Sequence, residues 1–257
     1  MTKNDADTIA KIRETITAIT FDLWGTLLDD RPVAVGERLV RDMRMAFFQK
    51  MVRRAGRELD RTQLVAAYRH AAGVFDHYWK RQQAFDARIG IQAMLEFVSV
   101  EFDEQSVAEL VRYFEEVNDQ VTIPAITGVP EAVAALAAGY RLGVISDTGW
   151  TPGRILRNHL QRNGLLQHFA VTVFSDEAGA CKPHPRLFET ALSALETRPQ
   201  TTLHIGDLLF TDVRGAKAAG CYAAWIHRPD FLDNHTHNDQ PDLIVSGVAE
   251  LAEILLK

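Results

Sequence analysis

The chain has 257 residues, 47% hydrophobic and 24% charged, with a net charge of −6 at neutral pH; this balance suits a globular protein with room for one large domain, or a core and an insert. That charge excludes the basic footprint of a nucleic-acid binder, and two cysteines, Cys181 and Cys221, cannot make a disulfide framework and read as small core residues. The first seven residues are polar and acidic, without the apolar centre of a secretion signal, and no apolar run reaches membrane-spanning length, so a cytoplasmic protein without a membrane partner is expected.

Residues 1–14 read as a polar, helical or frayed extension. The apolar, β-branched run from Ile16 to Phe21 predicts a strand that ends in Asp22, with Gly25 allowing a sharp turn after it. Residues 32–121 then carry apolar positions at helical spacing. Val40, Met43, Phe47 and Met51 form one predicted face, and Leu64, Ala67, Tyr68, Ala71 and Phe75 a second. Ile91, Met94, Leu95 and Val98 form a third, and Val107, Leu110, Val111 and Phe114 a fourth, with no strand between them. The α/β pattern resumes with a helix opened by Gly128-Val129-Pro130 and a strand at Arg141–Ser146. It continues with a helix from Pro152 to Asn163, a strand at Val171–Phe174, a helix at Pro185–Leu195 and a strand at Thr202–Ile205. A helix at Val213–Ala219, strands at Cys221–Ile226 and Leu243–Val245 and a helix at Val248–Leu256 complete it. Strands alternating with helices predict an α/β class: a Rossmann-like parallel sheet core at 15–31 and 122–257, with an inserted all-helical domain at 32–121.

Four predicted strand ends carry polar residues, and in a parallel sheet such ends open on one crevice. The first offers Asp22, with the Thr26 hydroxyl nearby to orient groups beside it. The second offers Ser146 and Asp147; Lys182 follows the third in CKPHP; Asp207 and Asp212 follow the fourth in GDLLFTD. Asp22 can act as a covalent nucleophile. Three carboxylates can hold a hard cation such as Mg²⁺ through oxygen. Lys182 adds a point charge, and Ser146 with nearby N–H groups can bind the oxygens of a phosphoryl group.

These stretches, FDLWGTL at Phe21–Leu27, VISDT at Val144–Thr148, CKPHP at Cys181–Pro185 and GDLLFTD at Gly206–Asp212, resemble the haloacid dehalogenase-like hydrolase superfamily in order and spacing from about residue 16 to 247. The resemblance implies a helical cap made by the insert and Asp22 as nucleophile. It implies that Ser146 binds phosphoryl oxygens, Lys182 steadies charge, and Asp207 and Asp212 hold Mg²⁺ with Asp22 and the backbone carbonyl of Trp24. The expected activity is Mg²⁺-dependent hydrolysis of a small, anionic phosphorylated metabolite through an aspartyl-phosphate, by a monomer or homodimer.

Trp24 departs from that pattern, because the superfamily's phosphatases place a proton-shuttling aspartate there. Indole donates one hydrogen bond and moves no proton. The 2-haloacid dehalogenases carry an aromatic at this position and release halide without an acid, which makes a C–X hydrolase the alternative; Asp207 and Asp212 argue against it, since that branch lacks the metal carboxylates. A non-catalytic protein binding a phosphorylated ligand is the third reading. Arginines 38, 41, 44 and 88, with His70, His77, Tyr78 and Trp79, offer candidate specificity residues in the insert, read individually as helix-surface or bundle residues. His227, His235 and His237 read as a polar histidine-bearing loop.

Overall fold

The computed structural model describes residues 5–29, 31, 34, 35, 38–228 and 239–257. Its strands are β1 (Ala18–Phe21), β2 (Ala34–Val35), β3 (Arg38–Leu39), β4 (Arg141–Ser146), β5 (Phe169–Phe174), β6 (Thr202–Gly206), β7 (Tyr222–Ile226) and β8 (Leu243–Val245). Its α-helices are α1 (Ala6–Thr15), α2 (Val40–Arg54), α3 (Arg61–Lys80), α4 (Ala87–Phe97), α5 (Glu104–Glu116), α6 (Val129–Ala137), α7 (Gly153–Arg162), α8 (Ser175–Ala178), α9 (Pro185–Ala194), α10 (Arg214–Ala218) and α11 (Val248–Leu256). None of the described helices is long and apolar enough to cross a membrane. His235 and His237 lie outside the described residues.

The chain forms two compact units. The first, drawn from 1–30, 124–147 and 160–257, is a six-stranded parallel sheet in the order β5-β4-β1-β6-β7-β8. Its central strands β1 and β6 are buried along their whole length, as the continuous apolar runs require. The chain moves one way from β1 through β4 to β5, then crosses back to β6 and on to β7 and β8. Right-handed crossovers therefore place α9 and α10 on one face and α6 on the other. On the α9/α10 face, Ile145, Val173, Leu187, Phe188, Val213 and Trp225 form a continuous core. Cys181 and Cys221 are both buried, and burial pushes the Cys221 thiol up to about 12, so the pair behaves as core. Helix α1, read from sequence as an extension, belongs to this unit: Asp5 caps it, Ile12 is fully buried, and Arg13 donates to the Ile254 carbonyl.

The second unit, drawn from 31–123 and 148–159, is helical. Asp60, Asp86 and Asp103 each cap the helix that follows by accepting a backbone N–H, Asp60 in a reciprocal box with Gln63. Three of the four predicted faces are buried largely as spaced, but α2 turns differently. Val40, Arg44, Phe48 and Met51 are buried, whereas Met43 and Phe47 are half-buried. Arg44 can enter the core because its guanidinium donates to the Phe114 carbonyl and the Thr151 hydroxyl. Arg41 pairs with Asp42 and Arg88 with Glu104 on the surface. The short ribbon of β2 and β3 precedes α2, where the sequence gives no strand signal.

The sequence reading assigns residues 148–159 to the core, but they cluster with the helical unit. Trp150 supplies the reason: its ring lies 5.3 Å from Tyr68, 5.5 Å from Phe85 and 5.2 Å from Phe114. Arg154 adds an ion pair to Glu115 at 2.7 Å.

A close helix contact in the sheet unit gives a stability prediction. A Cβ at Gly215 would stand 2.4 Å from the Phe188 ring, whereas one at Gly139 would meet nothing within 4 Å. Gly215→Ala is expected to cost about 1–3 kcal/mol by overpacking, and Gly139→Ala less than about 0.5 kcal/mol. Urea denaturation of the two variants measures the difference; equal midpoints would refute it.

Candidate active site

Asp22 sits one residue beyond β1, and its N–H donates to the Ile205 carbonyl of β6 at 2.8 Å, so the central strand pair fixes its backbone. The loop after it closes tightly, with the N–H groups of Leu27 and Leu28 both donating to the Leu23 carbonyl. Gly25 takes φ +66°, and a Cβ there would lie 2.3 Å from a guanidinium nitrogen of Arg228 and 2.5 Å from Asp207 Oδ2. Glycine thus serves both the turn and a close approach.

Asp207 follows β6, with its carbonyl accepting from the Trp225 indole at 2.9 Å. Asp212 comes from a wide turn at Leu209–Val213 that folds its carboxylate back over the strand end, where Oδ2 accepts from the Leu208 N–H at 3.0 Å. A Cβ at Gly206 would stand 2.3 Å from the Asp212 carboxyl carbon, so glycine is what lets that carboxylate in. Lys182 is only 2% exposed. Its N–H donates to Asp147 Oδ1 at 2.8 Å, and its ammonium donates to Asp22 Oδ1 at 2.5 Å and Asp212 Oδ1 at 2.6 Å.

The electrostatics follow from one lysine shared by two buried carboxylates. Burial alone would favour neutral Lys182, but Asp212, Asp22 and Asp147 outweigh it and hold the ammonium above its ordinary range. Burial also opposes charge on Asp212, yet Lys182 and His204 prevail and hold that carboxyl well below the usual range. For Asp22, burial wins over Lys182, with Asp212 and Asp207 adding to it, and its carboxyl is pushed well up. Asp207 is raised to about 6 by burial and then by Asp212, against Arg228 and Lys182. Two of the three carboxyls therefore resist ionisation until more positive charge arrives.

Oxygens of Asp22, Asp207 and Asp212 lie within 4.8 Å of one another, all on buried residues. A close, all-oxygen donor set that is short of positive charge fits a hard divalent cation such as Mg²⁺. The structure thus brings together Asp22, Lys182, Asp207 and Asp212. Ser146 is fully buried at the end of β4 and donates to the Asp147 carbonyl at 3.2 Å. Asp147, a strand-end candidate in the sequence, accepts the Lys182 N–H and so holds the lysine's backbone. Thr26 is 1% exposed, and its hydroxyl has no hydrogen-bond partner among the described residues. Trp24 is half-buried in the loop and bridged to Leu28.

Sequence reasoning passed over Thr20, His204 and Arg228. Thr20 and His204 face each other in register, with Thr20 Oγ1 2.9 Å from His204 Nδ1. His204 Nε2 lies 3.3 Å from Asp212 Oδ1. Burial lowers the His204 pKa, so the ring is neutral; Nε2–H then donates to Asp212 while Nδ1 accepts from Thr20. The available signal was polar residues inside two apolar strands, which need partners when buried. Arg228 donates to Asp207 Oδ2 at 2.8 Å from a loop with no motif of its own.

A family model described as haloacid dehalogenase-like hydrolase matches residues 16–220. The chain is 39% identical over 130 residues to a phosphoserine phosphatase of Thermus thermophilus, covering 49% of this chain and 51% of that one, so it spans about half the length of that relative. It is 26% identical over 245 residues to a glyceraldehyde 3-phosphate phosphatase of Methanopyrus kandleri, covering 93% and 97%. Among solved structures, a 2-haloacid dehalogenase of Pseudomonas syringae superposes with TM-score 0.66 at 22% identity, over 94% of this chain and 98% of that one. That last likeness concerns the fold.

The Asp207 shift sets a pH dependence. Below pH 3.8 both folded and unfolded chains hold this proton; between 3.8 and about 6 only the folded chain does. Stability from this group is therefore lost as pH rises through that window and stays lost above it. In EDTA, Asp207→Asn should gain in melting temperature on the wild type as pH rises from 4 to 7, by about 2–4 °C for each kcal/mol in a chain of this size, with no further gain from 7 to 8. A difference that does not change with pH would refute the assignment.

Proposed function

The chain belongs to the haloacid dehalogenase-like hydrolases, and on that premise we propose that it is a Mg²⁺-dependent phosphohydrolase acting on a small phosphorylated metabolite. The observation that carries this reading is the cluster of Asp22, Asp207 and Asp212 against Lys182. Asp22, Asp207, Asp212 and the Trp24 carbonyl would hold the ion. Once bound, it would screen the phosphate from the carboxylates and let an anionic nucleophile approach.

A carboxylate oxygen of Asp22 attacks phosphorus and the bond to the leaving oxygen breaks, giving an aspartyl-phosphate. Water then attacks that phosphorus, releasing phosphate and restoring the carboxylate. Lys182, held by Asp147 and shared with Asp212, stays charged and faces the phosphoryl oxygens with Ser146. Thr26, buried with no hydrogen-bond partner among the described residues, has a hydroxyl to offer beside the loop. By the family resemblance, the helical unit would serve as the cap that selects substrate.

Trp24 shapes the substrate range. With no proton donor at that position, the leaving group must depart as a stable anion, so acyl and aryl phosphates should react faster than alkyl phosphates. The aromatic at this position also supports a second reading, displacement of halide from a 2-haloacid by Asp22. Retention of Asp207 and Asp212 favours the first, because halide needs no metal to leave.

An aryl phosphate assay separates these. Wild type should turn over with Mg²⁺ and stop in EDTA, and Asp22→Asn should fall to background. Trp24→Asp should raise turnover of an alkyl phosphate by about 10²-fold or more, the low end of general acid–base catalysis. Halide release from 2-haloacids in EDTA, with no phosphate hydrolysed, would replace the first reading by the second.

A further inference from the structure

We propose that Arg228 is a built-in competitor for the divalent cation: its guanidinium covers Asp207 when no metal is bound and surrenders that carboxylate when one arrives. The inference rests on the metal-site reading above and adds what sets the site's affinity.

The cluster holds three carboxylates, and the protein meets them with two cations placed on different sides. Lys182 bonds Asp22 and Asp212. Arg228 bonds Asp207 through Oδ2 at 2.8 Å. Removing Arg228 would take one positive charge from beside a divalent cation's ligands.

The pair is built rather than incidental. β6 and β7 are parallel neighbours with Gly206 opposite Trp225, so the segments after both strands emerge side by side. The Trp225 indole pins the Asp207 carbonyl, which fixes the residue Arg228 must reach. Gly25 completes the arrangement, since any Cβ there would stand within 2.5 Å of both the guanidinium and Asp207 Oδ2. Three segments are thus shaped around one ion pair.

The two partners differ in commitment. Asp207 is 7% exposed on its side chain and Arg228 30%, so the arginine is the more solvated partner. It bonds Asp207 Oδ2 through Nη1. Asp207 Oδ2, the oxygen it covers, is the one a metal would take.

Calorimetric titration of Mg²⁺ into wild type, Arg228→Lys and Arg228→Met, without substrate and at fixed ionic strength, tests this. Thermal melts with and without Mg²⁺ supply a second readout. Arg228→Met should bind Mg²⁺ about tenfold tighter, or about 1.4 kcal/mol, and Arg228→Lys between the two. The melts should cross: Arg228→Met below wild type in EDTA and level with it or above in Mg²⁺. Equal or weaker binding by both variants would overturn the inference while leaving the metal site standing. Mg²⁺ binding to none of the three would overturn the metal site and the inference with it.

Discussion

One ammonium between two buried carboxylates organises the first unit. Lys182 could not be buried without Asp22 and Asp212, and neither carboxylate could be buried with its charge without the lysine. Each needs the others from a different part of the chain: the end of β1, the loop before α9, and the turn after β6. Burying charge this way is costly, and replacing such groups by well-packed apolar residues often leaves a protein as stable or more so. The cluster is therefore better understood as chemistry held in place by the fold than as a source of stability.

What surrounds it is devoted to holding atoms still. His204 steadies Asp212 and is itself fixed by Thr20, a chain of buried polar contacts running across two central strands. Asp147 holds the Lys182 backbone, and Trp225 the Asp207 backbone. Gly206 and Gly25 contribute by absence, since a side chain at either would occupy the space of a carboxylate. Such support leaves the reacting groups little to rearrange, which is how a site gains electrostatic preorganisation.

Much of this was legible in the sequence. The four strand-end motifs predict which residues gather because a parallel sheet sends every strand end to the same edge. The apolar runs of β1 and β6 predict burial on both faces. What escaped was set by tertiary contact. Residues 148–159 follow a core strand, yet Trp150 draws them to the helical unit through rings that no local pattern announces. The rotation of α2 escaped for a similar reason: a charged Arg44 counts as polar in any periodicity and becomes a core residue only because a carbonyl and a hydroxyl await it. Asp147 was legible as a strand-end carboxylate, but its partner, the backbone N–H of Lys182, lies 35 residues away.

The remaining tension lies between Trp24 and the carboxylates. A buried set of carboxylates able to hold a cation is expensive to maintain, in line with the raised Asp22 and Asp207 carboxyls. A reaction that needs no metal gives no reason to keep it. A phosphoryl dianion does, because three carboxylates would otherwise repel it before Asp22 could approach. Under the proposed function, an indole beside such a site would remove proton transfer but leave the nucleophile, cation ligands and lysine in place. The chemistry we propose for this combination is phosphoryl transfer from a leaving group that needs no proton, with the energetic burden placed on charge neutralisation rather than on acid catalysis.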